Sequence, residues 1–279
     1  MRIIDDATYS TAPLPYEALK HLADGSVRAI RDVIQEESLL DVFVDGRHFF
    51  RIACLASDLP ALVAGRLLTE GAIDEAVDIA EIRIANAIAP ETAPNAPLRA
   101  DVTLAGHAAA RIAAASTTAA YEDVPTHGGV SRPPLASRAL DDLPPVVPIP
   151  WSPEHIFALA RVFEADATSH AETFATHTCY LAVGGELLYC CEDLGRHNAF
   201  DKVVGRALID GVDLARTTVF TSGRIPTDMT AKAIRARIPI LATKAVPTGQ
   251  TLALARAHDL TLISSAHTDS IKVFNDPTR

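Results

Sequence analysis

The stretch ELLYCCEDLGRHNAFDKVVGRALIDG, residues 186–211, combines the patterns of a strand, a polar turn and a helix. The apolar run LLYCC is typical of a strand. The apolar residues from Phe200 to Leu208 recur with the 3.6-residue period of a helix, which Gly211 ends. Between them, the turn EDLGRHN holds two carboxylates, a glycine, an arginine, a histidine and an asparagine. A connector needs only a turn former and a helix cap, so the stretch predicts an α/β fold with a functional loop after this strand.

The rest of the second half repeats this alternation of strands and helices. Strands are predicted at CYLAV (179–183), TTVFT (217–221), IPILAT (238–243) and LTLIS (260–264), and helices begin at Ser152-Pro153, at Pro226 and near Thr248. CYLAV and ELLYCC flank Gly184-Gly185. Strands and helices that alternate with short connections predict a largely parallel sheet with helices packed on it.

The first half predicts a smaller α+β unit. Residues 39–44 and 49–54 form the pattern of two strands around the hairpin turn Asp45-Gly46. A helix capped by Ser57 is expected to end at Gly71, and further strands are expected at residues 79–84 and 100–104.

Proline composition separates the two halves. Eight of the eighteen prolines lie between Pro125 and Pro153, which excludes a helix or a central strand there and predicts a linker. The expected organisation is an N-terminal arm at 1–25, a small α+β domain at 26–124, a proline-rich linker at 125–151 and an α/β domain at 152–279.

Composition excludes several classes of function. With a net charge of −10 over 279 residues, the chain lacks the basic surface that general DNA or RNA binding requires. No apolar run is long enough to cross a bilayer, and the acidic start MRIIDDATYS differs from a signal peptide, so a cytoplasmic location is expected.

The four cysteines, Cys54, Cys179, Cys190 and Cys191, show no paired-ligand spacing. Neither a disulfide framework nor a structural zinc site is therefore predicted, and no metal ligands are assigned. Cys54, Cys179 and Cys190 lie in apolar runs, where buried and inert thiols are the usual case.

The predicted topology gathers several loops at one edge of the sheet, because ligands of open α/β sheets lie outside the carboxyl ends of the strands. The loops are 192–198, 222–224 and 264–268, with 244–248 leaving the same edge. Cations, glycines with exposed backbone N–H groups, and helix N-termini suit phosphate. The candidate residues are Arg196, His197, Arg224, Lys244 and His267, beside the small residues Gly195, Ser222, Gly223 and Ser265.

Each candidate taken alone has an ordinary structural explanation. Asn198 and Asp201 have the spacing of a loose capping box, and His197 and Asp201 form an i,i+4 pair. A lone histidine such as His177 is more often structural than catalytic. Only the combination of loops predicts a site. That combination indicates a pocket for an anionic ligand and does not specify the ligand further.

Three segments resemble one family. EDLGRHNAFDKVVG (192–205) is similar to the signature of the FdhD/NarQ family, the formate dehydrogenase accessory sulfurtransferases, whose usual form is close to EDVGRHNAVDKVIG. SGRIPTDMTAKA (222–233) and CLASDLPALVAGRLLTEGAI (54–73) resemble two further segments of that family. The resemblance implies a cytidine-deaminase-like α/β domain with a smaller N-terminal domain, usually as a homodimer. The His-x-Glu and Pro-Cys-x-x-Cys signature of zinc deaminases is absent, so deamination and zinc are not expected.

The resemblance also implies a function and a set of residues. Such proteins carry sulfur from a cysteine desulfurase to a molybdenum cofactor bearing guanine dinucleotides, for formate dehydrogenase or another molybdoenzyme. The expected ligand is molybdopterin guanine dinucleotide or a related guanine nucleotide. Family motifs match this chain at Glu192, Asp193, Gly195, Arg196, His197, Asn198, Asp201, Lys202, Ser222, Gly223, Arg224, Met229 and Lys232.

The chain departs from the family where sulfur is carried. Residues 116–124, which correspond to the family's Cys-x-x-Cys pair, contain no cysteine, and a persulfide needs a nucleophilic thiolate. TFATH (173–177) keeps Thr173 and His177 of the family pattern but not its glycines.

Two main hypotheses stay open. One is a sulfurtransferase that relays sulfur through Cys179 or Cys191, and the other is a paralogue that binds the cofactor as a carrier or chaperone. A third is an interaction scaffold with a vestigial pocket.

Overall fold

The computed structural model describes residues 1–88, 97–115, 123–124, 143–165 and 175–279. Within these residues the chain forms two six-stranded sheets, a separate two-stranded ribbon and helices that pack between and outside the sheets. This arrangement confirms the mixed α/β class. The domain boundaries expected from the sequence stay predictions, and residues 116–122, 125–142 and 166–174 lie outside the described part.

The first sheet has the strand order β1-β6-β7-β4-β5-β8. Its hairpin β4–β5 and the strands β6 and β7 confirm the predicted elements. The ribbon β2–β3 crosses the boundary that was expected after residue 25. The elements of this half are β1 (Arg2–Asp5), β2 (Leu14–His21), β3 (Val27–Ile34), β4 (Ser38–Val44), β5 (Arg47–Cys54), α1 (Leu59–Thr69), β6 (Ile79–Asn86), β7 (Leu98–Leu104), α2 (Gly106–Ala115) and β8 (Asp123–Val124).

The second sheet has the order β10-β9-β11-β12-β13-β14. The pairs β11–β12 and β12–β13 are parallel, whereas β9 and β14 run against their neighbours. The elements are α3 (Pro153–Ala165), β9 (His177–Val183), β10 (Glu186–Asp193), α4 (Arg196–Ile209), β11 (Thr217–Thr221), α5 (Thr227–Arg235), β12 (Ile240–Thr243), α6 (Gly249–Ala257), β13 (Thr261–Ser264) and β14 (Lys272–Asn275).

The tight turn between β9 and β10 explains why this sheet is mixed. Gly184 and Gly185 have φ angles of 57° and 86°, which is the conformation of a two-residue hairpin turn. Two residues cannot make a parallel crossover, so β9 is antiparallel to β10. Because β9 is also antiparallel to β11, the strands β10, β11, β12 and β13 share one direction, and their carboxyl ends lie at the same edge of the sheet. This edge is called the strand-end edge below.

Alternation along the central strands buries both faces of the second sheet. In β9, Cys179 and Leu181 belong to the larger core, while Tyr180 and Ala182 belong to a smaller core under α3. A strand with both faces covered is apolar along its whole length, as CYLAV is.

The larger core is continuous between the two halves of the chain. It contains Leu62 and Leu67 of α1 together with Phe200 and Val204 of α4. The helices α1 and α4 approach so closely that a Cβ atom built on Gly65 would lie 1.8 Å from the carbonyl oxygen of Asp201. The first half is thereby packed directly on the helix that follows the signature loop.

The start of α1 differs from the sequence prediction. Ser57 does not cap the helix, because Asp58 occupies the N-cap position with a φ of 47° and no side-chain cap is made. The Ser57 hydroxyl accepts a hydrogen bond of 2.9 Å from Lys202 Nζ instead. This hydrogen bond ties the segment before α1 to the signature helix α4.

Candidate functional site

The loops of the candidate site lie together at the strand-end edge. The strands β10, β11, β12 and β13 end at Asp193, Thr221, Thr243 and Ser264. Backbone hydrogen bonds connect neighbouring loops: Lys244 donates to Thr221 over 3.4 Å, and Ala266 donates to Thr243 over 3.0 Å. The geometry thus brings together the segments that the sequence predicted to meet.

Arg196 and Gly223 join the first two loops by direct contact. A Cβ atom on Gly223 would lie 2.9 Å from Cβ and 3.0 Å from Cδ of Arg196, so the arginine stem packs where a side chain would otherwise stand. The Nε of Arg196 is buried and has no hydrogen-bond partner. Arg224, three residues after the end of β11, is exposed.

Neither Arg196 nor Arg224 forms an ion pair within the described residues. The other cation predicted for this edge behaves differently. Lys244 donates a hydrogen bond of 3.0 Å to Glu164 and lies 4.8 Å from the centre of the Phe163 ring. Its charge is directed to α3, whereas Arg196 and Arg224 are paired with no acid among the described residues.

The remaining strand-end candidates are small or exposed. Ser265 has a φ of 45°, and its N–H donates to the carbonyl of Ala245 over 3.0 Å. His267 is exposed, and its backbone N–H closes a turn with Ser270. The structure places both residues in the β13 exit loop but shows no side-chain contact from either to Arg196.

The glycines of the site do not expose their N–H groups as the sequence suggested. Gly195 donates its N–H to Asp193 Oδ1 over 3.1 Å, and Gly223 donates its N–H to Thr221 Oγ1 over 3.2 Å. Ser222 also uses its N–H on the carbonyl of Thr178. The N-termini of α4 and α5 carry no side-chain cap, so any N–H donors for a ligand come from the first turns of these helices.

Ser222 and His177 are neighbours at the base of this edge. The Ser222 hydroxyl accepts from the Thr178 N–H over 3.1 Å and lies 3.3 Å from His177 Nδ1. Thr178 Oγ1 donates to Glu192 over 3.3 Å. These contacts connect β9 to the end of β10 and to the loop after β11. Thr173, the other family residue of that segment, lies outside the described residues.

Asp193, Asn198 and Lys202 form a buried scaffold for the signature loop. Asp193 and Lys202 are fully buried, and their charges lie 2.8 Å apart. The Asn198 amide donates to Asp193 and to the carbonyl of Ala53, both over 2.9 Å. Asp193 and Asn198 were candidates for cofactor binding, whereas the structure directs their polar groups inward. Buried polar groups need such partners, so the structure gives these residues a positioning role.

A second buried charge cluster joins α1, α4 and α5. Lys232 lies 2.5 Å from Asp201, whose other oxygen accepts from Thr69 Oγ1 over 2.7 Å. Arg66 pairs with Glu70 at 3.2 Å. Burial opposes ionisation of Glu70, but Arg66 and Lys232 hold its pKa below the ordinary value. Met229, also carried over from the family, is fully buried in the core. The cluster and this methionine are structural.

His197 is buried between the scaffold and this cluster. Only 4% of the residue is exposed, and Nε2 lies 3.5 Å from an oxygen of Asp228 without the geometry of a hydrogen bond. Burial, followed by repulsion from Lys232 and Arg196, lowers the pKa of His197 to about 2. The imidazole is therefore neutral at physiological pH and does not add a cation to the site.

The thiol candidates from the sequence are poor nucleophiles. Cys179 is fully buried and Cys191 is 5% exposed. Burial raises the pKa of Cys191 to about 12 and that of Cys179 well above its ordinary value. A thiol with a raised pKa supplies little thiolate. Cys190, which its apolar run predicted to be buried, is the exposed thiol, because strand alternation places it on the face of β10 opposite Cys191, which lies in the larger core.

Several residues of this region were not identified from the sequence. Asp228 approaches His197 only because α5 begins beside α4, and its single signal was an acidic residue in a helix's first turn. Arg66 and Glu70 are an i,i+4 pair at the C-terminal end of α1, where Glu70 is the C-cap. That pattern alone suggests a solvated face, whereas here it is buried against α4.

The fold and the site define a class: a mixed α/β protein of two sheets, whose arginine-bearing loops meet where parallel strands end. The family model described as the FdhD/NarQ family matches residues 35–279. The chain belongs to the FdhD/NarQ family.

Relatives support this assignment over nearly the whole chain. The sulfur carrier protein FdhD of Streptomyces avermitilis is 30% identical over 269 residues, covering 91% of this chain and 90% of that protein. The protein of the same name from Bacillus subtilis is 25% identical and covers 91% of this chain and 93% of its own. A crystal structure described as a formate dehydrogenase accessory protein from Desulfotalea psychrophila superposes with a TM-score of 0.73. It is 23% identical and covers 95% of this chain and 97% of its own.

Among the described residues, no helix combines the length and apolarity needed to cross a bilayer.

Proposed function

We propose that this protein is an accessory factor for a molybdoenzyme and that it binds the guanine-dinucleotide form of the molybdenum cofactor at the strand-end edge. The observation that carries the proposal is the pair Arg196 and Arg224, which have no ion-pair partner among the described residues although the chain has a net charge of −10. Two uncompensated guanidinium groups on adjacent loops suit the phosphates of a dinucleotide.

The residues present fit such a ligand. Arg196 has a buried Nε without an acceptor, and a phosphate oxygen would supply one. The absence of a side chain on Gly223 leaves room for the aliphatic part of Arg196, since a Cβ atom on Gly223 would lie 2.9 Å from the Cβ atom of Arg196. The uncapped first turn of α4 adds N–H donors and the positive end of a helix dipole. Side-chain cations and helix ends would thus hold the phosphates, rather than the glycine N–H groups of the loops.

The carrier role fits this chain better than sulfur transfer through the thiols first considered. Relatives are named sulfur carrier proteins, yet Cys179 and Cys191 are buried with raised pKa values. The corresponding Cys-x-x-Cys positions hold no cysteine. One observation keeps sulfur transfer as the second candidate: Cys190 presents an exposed thiol on β10, on the strand that leads into the signature loop.

The remaining parts of the proposal follow from family membership. The partners would be a molybdoenzyme such as formate dehydrogenase and, for the sulfur-transfer candidate, a cysteine desulfurase. We also propose a cytoplasmic homodimer. Size-exclusion chromatography with light scattering measures the oligomeric state independently of ligand binding.

The ligand proposal is tested by titrating guanosine diphosphate into the full chain and following binding by calorimetry. Arg196→Ala and Arg224→Ala should each weaken binding about 10- to 100-fold, because a charge-assisted hydrogen bond contributes about 1.5–3 kcal/mol. Affinity should also fall as salt rises. Arg256→Ala is the matched control, since Arg256 is exposed on α6 outside the strand-end loops.

Two results would contradict the ligand proposal. One is the absence of measurable binding of both guanosine diphosphate and the molybdopterin dinucleotide. The other is an equal loss of affinity in the Arg256→Ala control and in the two site variants.

A further inference from the structure

A cleft of roughly 550 Å³ lies on the side of the second sheet opposite the strand-end edge. It is lined by residues that follow α1, α4 and α5, among them Gly71, Asp74, Gly211, Asp213 and Arg237. The segments after α4 and α5 lead into the starts of β11 and β12. The cleft is therefore separate from the proposed cofactor site.

Three potential metal ligands converge at the border of this cleft. Asp74 follows α1, Asp78 closes a short 3₁₀ turn, and His107 is in the first turn of α2. One ligand atom from each lies within 4.8 Å of the other two. They come from two segments some thirty residues apart, and Asp74 also lines the cleft.

The distances within this cluster are those of ligands rather than of hydrogen-bond partners. His107 Nε2 lies 3.8 Å from Asp74 Oδ2 and 3.9 Å from Asp78 Oδ1. Both separations are too long for hydrogen bonds. Bonds of about 2.0–2.2 Å to one ion place nitrogen and oxygen ligands about 3–4 Å apart, so a single cation between the three groups can coordinate all of them after small side-chain movements.

The environment of the Asp78 carboxylate is a second observation that indicates a bound cation. Its side chain is 3% exposed. Oδ2 accepts from the N–H groups of Asp74 and Glu75 over 2.8 and 3.2 Å. No described residue donates a hydrogen bond to Oδ1, which faces His107. The carboxylate is thus held almost out of solvent with one oxygen directed at the other two ligands, and a nearly buried carboxylate is stabilised by a cation beside it.

The backbone holds the ligands in place before any ion binds. The N–H of Ala105 donates to the carbonyl of Asp78 over 2.8 Å, which fixes the entry to α2 two residues before His107. Glu75 and Asp78 cap the 3₁₀ turn reciprocally. Asp78 is thus fixed through both its side chain and its backbone, as a ligand with outer support should be.

We propose that Asp74, Asp78 and His107 form a binding site for a divalent transition-metal ion of the zinc class. An imidazole nitrogen with two carboxylates suits zinc, cobalt or manganese better than magnesium or calcium, which prefer oxygen ligands only. The cleft leaves the remaining coordination positions open to water or to a small ligand. The cysteine spacing gave no indication of this site, because its ligands are a histidine and two aspartates.

The site is tested by calorimetric titration of Zn²⁺ into the full chain after treatment with a chelator. All variants are made in a Cys190→Ser background, so that the exposed thiol cannot supply a ligand. One Zn²⁺ should bind per chain, and His107→Ala and Asp74→Asn should each weaken binding at least about tenfold. Both side chains are largely exposed, at 68% and 45%, so these variants should fold, which circular dichroism checks.

A matched histidine control separates a built site from adventitious binding. His21→Ala removes an exposed histidine of the β2–β3 ribbon and should leave the Zn²⁺ affinity unchanged. The proposal is overturned if His107→Ala binds Zn²⁺ as tightly as the parent, if His21→Ala loses as much affinity, or if Mg²⁺ competes at equal concentration. None of these outcomes depends on cofactor binding at the opposite edge.

Discussion

Lys202 shows how one buried charge orders the signature loop. Its Nζ lies 2.8 Å from Asp193 Oδ2, and it donates to Ser57 Oγ and to the carbonyls of Glu192 and Leu55 over 2.9–3.1 Å. An ammonium group has three N–H donors, so these oxygens satisfy it fully. Removing the lysine would leave Asp193 as an uncompensated buried charge, which is strongly destabilising.

Residue identity alone did not reveal which signature residues face inward. The sequence predicted a polar loop at a strand end and correctly brought Arg196 near Gly223. Asp193 and Asn198 were assigned to the ligand through the family resemblance, and nothing in the signature itself showed that both side chains are buried. Their burial arises from the Ala53–Leu55 segment, more than a hundred residues away, whose backbone groups pair with them.

His197 gives the first prediction at this scale, a dependence of stability on pH. Its pKa is about 2 in the folded protein and about 6.5 in an unfolded chain. Below pH 6.5 the unfolded chain binds a proton that the folded protein does not. The free energy of unfolding should therefore fall as pH decreases, by up to about 1.4 kcal/mol per pH unit for this residue.

The measurement is urea unfolding of the parent and of His197→Gln at several pH values between 7 and 5. Carboxylates act in both proteins, so the difference between the two slopes isolates the histidine. His267→Gln, which alters an exposed ring, should keep the parental slope. Parallel pH profiles for the parent and His197→Gln would show that His197 is not buried in its neutral form.

At the scale of elements, the contact between α1 and α4 holds the two halves of the protein together. Gly65 and Gly205 each face the backbone of the opposite helix, and a Cβ atom on either would lie 1.8 Å from a carbonyl oxygen. The close approach also brings Thr69 within hydrogen-bond distance of Asp201. The signature helix is therefore positioned by a helix from the first half.

Gly205→Ala tests this contact. The added methyl group would collide with the Ala61 carbonyl, and a backbone atom cannot rotate away as a side chain can. The helices must separate, so we expect a loss of about 3 kcal/mol or more in the free energy of unfolding, at the upper end of overpacking effects. This exceeds the gain of about 1 kcal/mol that alanine brings to a helix.

Gly249→Ala is the control for that substitution. Gly249 begins α6, and a Cβ atom there would have no neighbour within 4 Å. The free energy of unfolding of the Gly249→Ala variant should therefore differ from that of the parent by less than about 1 kcal/mol. Unfolding curves in urea compare the two variants. If both variants were as stable as the parent, the two helices would have to lie further apart than described.

Helices and strands with an apolar period were predictable from the sequence, and the ribbon β2–β3 was not. The predicted elements of the second half are all present because each buries one or both faces. The ribbon's side chains are almost all exposed, including Tyr16 at 60% and Leu19 at 68%, so no one-sided pattern marked its strands. The glycine contact between α1 and α4 was also hidden, because it pairs residues far apart in the chain.

At the scale of the whole molecule, the larger core, which both sheets share, determines which reactive side chains remain accessible to solvent. The same core that contains α1 and α4 also contains Cys54, Cys179 and Cys191. Burial raises the pKa of all three thiols. The strand-end edge presents arginines, whereas sulfur chemistry would have to use β10, where Cys190 is exposed.

The last prediction is that the folded protein gains no sulfur on Cys54, Cys179 or Cys191 when it is incubated with a cysteine desulfurase and cysteine. Peptide mass spectrometry would locate any added sulfur atom, and iodoacetamide labelling before and after unfolding provides the control. Native protein should be alkylated at Cys190 alone, and all four thiols should react in denaturant, because only burial protects them.

A persulfide on Cys190, lost in Cys190→Ser, would favour the sulfur-transfer candidate. Its absence with intact nucleotide binding would favour the carrier. A persulfide on Cys179 or Cys191 in the native protein would contradict the packing that protects them.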